Sequence, residues 1–193
     1  MPKKIILASG SPRRRELLTN AGYTFEVVPA EVEENHDGGE TPVALVERLA
    51  LSKAQEVARR YPGDDAVVLG ADTVVVLDGN ILGKPGSPEE AQEMLARLSG
   101  HEHEVITGVA LVQSGDANRK VVTHETTTVF FRELTKREIA DYTATGEPLD
   151  KAGAYAIQGI AGRFVTRLEG CYFNVMGLPV ALVDRLLREW ETG

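Results

Sequence analysis

Ile5-Ile6-Leu7 is an uninterrupted apolar triplet. The turn formers Ser9-Gly10-Ser11-Pro12 and then Arg13-Arg14-Arg15-Glu16-Leu17-Leu18 follow it at once. This pattern predicts a buried strand, a loop, and a helix with Ser11 as N-cap and Pro12 as first residue, ending near Gly22. A second strand is expected over residues 25–28 and an acidic, glycine-containing loop over 31–40. Thr41-Pro42 repeats the cap signal and opens a helix over 43–61. On that helix Val46, Leu49, Ala50, Ala54 and Val57 recur at helical spacing as one apolar stripe.

Two β-rich runs follow, at 66–69 and 73–77, and Asp78-Gly79-Asn80 turns the second into Ile81-Leu82 as a hairpin. Ser87-Pro88 opens another capped helix, stopped by Ser99-Gly100. Strands over 104–112 and 121–131 are joined by a polar turn at 114–118. Thr135 and Glu138 form a capping box for a helix ending at Gly146. A glycine-rich segment over 153–162, a strand over 164–168 and a helix over 178–190 complete the pattern. Helices alternate with strands, but two strand pairs are joined by hairpins, so the prediction is an α/β fold on a mixed sheet. No Pro/Ser-rich linker interrupts it, and residues 1–193 read as a single domain.

Composition narrows the classes. A chain of 193 residues with 42% hydrophobic and 26% charged residues is neither disordered nor fibrous. The formal net charge of −8 argues against general binding to nucleic acid or an anionic membrane. No apolar stretch nears the roughly eighteen residues that a membrane span needs. The lone Cys171 permits no internal disulfide and no zinc pair, which points to a reducing cytoplasm. Charge is nevertheless local: Lys3, Lys4, Arg13, Arg14 and Arg15 face only Glu16 within the first twenty residues.

Three features stand out chemically. Arginines occupy the first turn of a helix whose N-terminus is already the positive end of its dipole, and Ser9, Gly10 and Ser11 precede them. Free N–H groups, small hydroxyls and guanidinium forks there suit a phosphate. Lys53 falls in the middle of the apolar stripe of its helix, so it either snorkels to water or faces an acid or a phosphate. Asp72, within Val67-Val68-Leu69-Gly70-Ala71-Asp72-Thr73-Val74-Val75-Val76, has apolar or small neighbours on both sides and calls for a partner, a metal or a cleft edge. Lys84 and Lys151 read as solvated loop charges. Glu31, Glu33 and Glu34 are hard oxygen donors of the kind magnesium accepts beside substrate phosphates. His101-Glu102-His103 lacks the spacing of a zinc helix, and no Gly-x-Ser-x-Gly elbow supports a serine hydrolase.

Taken in order, Leu7-Ala8-Ser9-Gly10-Ser11-Pro12-Arg13-Arg14, Val32-Glu33-Glu34, Lys53-Ala54, Gly70-Ala71-Asp72-Thr73-Val74, Gly83-Lys84-Pro85 and the run from Leu149 to Gly159 closely resemble the Maf nucleotide pyrophosphatase family. Gly177-Leu178-Pro179 fits as well. The resemblance spans essentially the whole chain. It implies a house-cleaning enzyme that splits a nucleoside triphosphate into the monophosphate and pyrophosphate with a divalent cation, Mg2+ or Mn2+. The implied fold is similar to that of inosine triphosphate pyrophosphatases, an elongated mixed β-sheet with flanking helices and two lobes around a cleft. A homodimer is the assembly it implies.

By that resemblance Asp72 is the catalytic acid that orients or deprotonates water, with Lys53 and Lys84 as catalytic cations. Ser9, Arg13, Arg14, Thr73 and Gln158 contact substrate, and Glu34 and Asp72 hold the metal. Arg13, Thr73 and Gln158 match the branch acting on dTTP and UTP, and a glutamine amide suits the O4/N3–H edge shared by uracil and thymine. The 7-methyl-GTP branch differs at these positions and is the alternative within catalysis. A non-catalytic nucleotide-binding regulator of septum formation is the alternative outside it. Glu33 stands where many members carry Asp, which leaves open whether Glu33 or Glu34 meets the cation.

Overall fold

The computed structural model describes residues 4–35, 39–63 and 65–192; Lys3 and residues 36–38 of the acidic loop lie outside the described residues. Ile5–Leu7 forms β1, buried throughout, and the turn after it enters α1 at Pro12–Asn20. Ser11 holds the N-cap position as expected, yet its hydroxyl makes no cap bond. Instead the Ser11 N–H donates to Ser9 Oγ at 3.2 Å, so the turn is closed one step earlier. β2 (Glu26–Val27) and the Val67–Leu77 strand, β3, both pair in parallel with β1.

α2, Pro42–Ala58, is capped by Thr41 Oγ accepting from the Ala44 N–H at 3.2 Å. It ends three residues before the predicted limit because Arg60 and Tyr61 bond back three residues rather than four, to the Val57 and Ala58 carbonyls. The two β-rich runs expected around Gly70 are one continuous strand, β3. Gly70 does not break it, for a reason of packing: a methyl there would lie 2.1 Å from the Ala50 carbonyl oxygen of α2. Gly108 meets α2 in the same way, at 2.2 Å from the Val46 oxygen.

The hairpin to β4 (Asn80–Leu82) turns on Asp78 at φ 50° and Gly79 at φ 77°, both left-handed, as two-residue hairpin turns require. α3 (Pro88–Leu98) starts on a Ser87 cap. β5 (Glu102–Gln113) and β6 (Asp116–Phe131) run longer than predicted, and the polar turn shrinks to Ser114-Gly115, with Gly115 at φ 80°. α4, Lys136–Thr143, carries the predicted capping box in full. A 3-10 turn at Glu147–Asp150 leads into the glycine-rich region, where two more follow at Ala152–Ala154 and Ile160–Phe164, before β7 (Val165–Glu169) pairs antiparallel with β6. A short helix, α5 (Tyr172–Val175), which no sequence signal announced, precedes α6 (Val180–Thr192).

The sheet is mixed, with seven strands in the order β2-β1-β3-β5-β6-β7 and β4 added to β3. Helices flank it, as the alternating pattern required. The chain forms two compact units. The first comprises Met1–Asp72, Thr107–Glu125 and Gly177–Gly193, and the second Thr73–Ile106 and Thr126–Met176. Each has its own core. In the first, Ile6, Val68 and Ala110 meet the stripe Ala50, Ala54 and Val57 of α2. In the second, Leu95, Leu98, Val129, Tyr142 and Phe164 are buried together. No helix among the described residues is long and apolar enough to cross a membrane.

Candidate active site

Side chains of a strand alternate between its faces, so Val68, Gly70 and Asp72 share one face of β3. That face receives α2. Because Gly70 lets the helix backbone touch the strand, Lys53, one turn beyond Ala50, is lowered to the level of Asp72. Lys53 Nζ donates to Asp72 Oδ1 at 2.6 Å and to Glu34 Oε1 at 2.5 Å. Lys53 and Asp72 are each 8% exposed, whereas Glu34 enters from the exposed acidic loop. The apolar-stripe lysine therefore does not snorkel to water; it meets two acids.

α1 supplies the other half of the first-unit cluster. Of its three arginines, Arg14 is buried, Arg13 is half-buried and Arg15 is exposed. Arg14 Nε donates to the Gly177 carbonyl at 2.7 Å, and Nη1 donates to the Ala71 carbonyl at 2.8 Å and Ser9 Oγ at 3.3 Å. Arg14 thus clips the backbone immediately before Asp72 to the serine of the first loop. Burial pulls its guanidinium below its ordinary range, and the nearby Asp72 and Glu34 carboxylates oppose that by favouring the charged form. Its two carbonyl acceptors are backbone atoms that no side-chain pattern announces.

Ser9, Arg14, Glu34, Lys53 and Asp72 are therefore one bonded network, all within the first unit. Glu33 is not part of it; its carboxylate accepts from Asn35 Nδ2 at 3.0 Å. Thr73, half-buried, follows Asp72 on β3 and opens the second unit. Lys84 and Gln158 belong to that unit and are exposed. Gly83, just before Lys84, accepts the Gly153 N–H at 3.0 Å, which ties the lysine's loop to the glycine-rich segment. Gln158 is the third residue of a turn closed by the Gly159 N–H on the Ala156 carbonyl at 3.0 Å.

Two atoms of the network face no protein partner among the described residues. Asp72 accepts through Oδ1 alone, and Lys53 uses two of its three N–H groups. A carboxylate oxygen and an ammonium proton side by side, with a buried guanidinium behind them, can activate water and stabilise negative charge. Among the described residues no group of three or more His, Cys, Asp or Glu side chains is placed to cage a metal. The converging pair Glu34 and Asp72 suits a hard cation of the magnesium type, which keeps several waters and takes other ligands from substrate phosphates.

The model of the Maf-like protein family matches residues 4–190. The chain belongs to that family. This Maf-like chain is 52% identical over 188 residues to a Pelotomaculum thermopropionicum protein named dTTP/UTP pyrophosphatase, covering 97% of both chains. It is 51% identical over 191 residues to a Bacillus cytotoxicus protein of the same name, covering 99% of this chain and 97% of that one. A third, from Vibrio cholerae, is 49% identical over 187 residues, covering 97% and 98%. Among solved structures, a HAM1 protein from Coxiella burnetii is similar at 18% identity and a TM-score of 0.47, over 66% of this Maf-like chain and 72% of that chain.

Proposed function

We propose that this Maf-like chain, acting as one domain in the cytoplasm, hydrolyses dTTP and UTP to the monophosphate and pyrophosphate. The observation that carries the reading is the Lys53 ammonium held between Glu34 and Asp72 beside the Arg14 network. The names of relatives at about half identity over nearly the whole chain supply the substrate class.

Water attacks the α-phosphorus, the bond from that phosphorus to the bridging oxygen breaks, and pyrophosphate leaves with the bonding pair. Asp72 orients the water and takes its proton at Oδ2, the oxygen that Lys53 does not occupy. The third Lys53 N–H donates to a phosphoryl oxygen as charge builds on it, and Arg13 and Lys84 add further positive charge toward the triphosphate. Arg14 and Ser9 hold the Ala71–Asp72 backbone and the first loop in place for that contact. Thr73 and Gln158 select the base, Gln158 by donating to O4 and accepting from N3–H. Glu34 and Asp72 would hold a divalent cation, Mg2+ or Mn2+, which would supply positive charge against the phosphate oxygens.

Pyrophosphate release from dTTP, UTP, CTP, GTP and 7-methyl-GTP, with magnesium, manganese or chelator, tests the proposal. Metal-dependent release from dTTP and UTP, matched by equimolar dTMP and UMP, is expected. Release chiefly from 7-methyl-GTP, or from no nucleotide, overturns it.

A further inference from the structure

The turn that carries Gln158 is held by a small network that the proposed chemistry does not use. Tyr142, buried on α4, donates its hydroxyl proton to Glu147 Oε1 at 3.0 Å. Glu147 Oε2 accepts the Ile160 N–H at 3.3 Å, just past the end of the turn. The carboxylate also covers Gly159, where a methyl would lie 2.1 Å from Oε1. The Glu147 carboxylate, steadied by the Tyr142 hydroxyl, therefore holds the far end of the Ala156–Gly159 turn, on which Gln158 is exposed.

We infer that Tyr142 and Glu147 are positioning residues that set base selectivity by fixing the turn that presents Gln158. The inference rests on the reading of Gln158 as the residue that meets the base. Its chemical logic comes from the amide itself. Donating to O4 while accepting from N3–H requires the amide to stand at one distance and angle from the base, and a displaced amide loses one of the two bonds. Discrimination therefore depends on a carrier held in one place. Tyr155 adds a second anchor: it is buried in the core of the same unit, its hydroxyl 2.8 Å from His103 Nε2, and it enters the turn directly.

The test compares kcat and KM for dTTP and CTP in the wild type and in Tyr142→Phe, Glu147→Gln, Gly159→Ala and Gln158→Ala, with the double variant Tyr142→Phe/Gln158→Ala. Tyr142→Phe keeps the ring packed edge-on against Phe164 and removes only the oxygen. Gly159→Ala leaves Glu147 in the chain but forces its carboxylate aside. Assays run below the unfolding midpoint of every variant. The dTTP-over-CTP ratio of kcat/KM is expected to fall about tenfold in Tyr142→Phe and Gly159→Ala, carried by KM for dTTP, with kcat within about twofold. The double variant is expected to match Gln158→Ala alone, because both changes act through one residue.

A ratio that collapses in Gln158→Ala but stays at the wild-type value in Tyr142→Phe, Glu147→Gln and Gly159→Ala overturns the positioning role and leaves the base-reading role intact. A ratio that stays unchanged in Gln158→Ala overturns both, since there is then nothing to position. Losses that add in the double variant also overturn it.

Discussion

Gly70 and Ala50 are in backbone contact: a methyl group on Gly70 would stand 2.1 Å from the Ala50 carbonyl oxygen and 2.9 Å from the Ala54 nitrogen. No flexible side chain is available to yield, so α2 itself must lift off β3. Gly70→Ala is expected to destabilise the fold by about 3 kcal/mol, at the upper end of overpacking costs. It also separates Lys53 from Asp72, so turnover of dTTP falls in the protein that remains folded. Urea unfolding followed by circular dichroism, with a parallel pyrophosphate assay, checks both.

Asp72→Asn keeps an oxygen for the Lys53 ammonium but removes the site that takes a proton. Turnover is expected to drop by about a thousandfold, the middle of the range for general base catalysis, with the unfolding midpoint nearly unchanged. Thermal unfolding and single-turnover hydrolysis on the same preparation separate the two effects.

Lys53→Met does the reverse. It leaves the Asp72 carboxylate, 8% exposed, without its cation, and an unpaired buried charge costs about 3–5 kcal/mol. Adding Asp72→Leu to Lys53→Met is expected to restore much of that stability and none of the activity. Unfolding midpoints of the two variants provide the comparison.

His103 lies in the core of the second unit, against Phe131 and Tyr155, and burial lowers its pKa to about 4 from 6.5. Below pH 6.5 the unfolded chain takes up a proton that the folded chain refuses until about pH 4. The stability from a neutral His103 is thus complete above pH 6.5, and about 3 kcal/mol of it is lost by pH 4. His103→Phe is expected to flatten that part of the stability curve relative to the wild type. Urea midpoints at pH 7, 5.5 and 4.5 measure it.

Chelation is expected to abolish hydrolysis reversibly and leave the unfolding midpoint where it was. Glu34 and Asp72, the two carboxylates proposed to hold the cation, already pair with the Lys53 ammonium, so the fold does not need the cation to offset their charge. A melting curve with and without chelator decides the point.

Elements whose signals are local were legible in the sequence. The caps at Thr41, Ser87 and Thr135, the Asp78-Gly79 hairpin and the stripe on α2 depend on residues a few positions apart, and each formed. Lys53 and Asp72 were conspicuous one by one, because a charge on an apolar face needs a partner. Their pairing was not visible, since it depends on how closely a helix settles on a strand. Gly70 looked like an interruption when it is a point of contact. The Arg14 acceptors on Ala71 and Gly177 are main-chain oxygens, and the grip of Tyr142 and Glu147 on the Gln158 turn joins three separate segments; neither leaves a residue pattern to find.

Chains are synthesised from the amino terminus, and Arg14 precedes its Gly177 acceptor by 163 positions. The guanidinium that braces the Asp72 backbone therefore spends nearly the whole of translation without that anchor. The third segment of the first unit begins at the same residue, Gly177. A nascent or prematurely terminated chain ending before Gly177 can carry Ser9, Lys53 and Asp72 but cannot complete the brace.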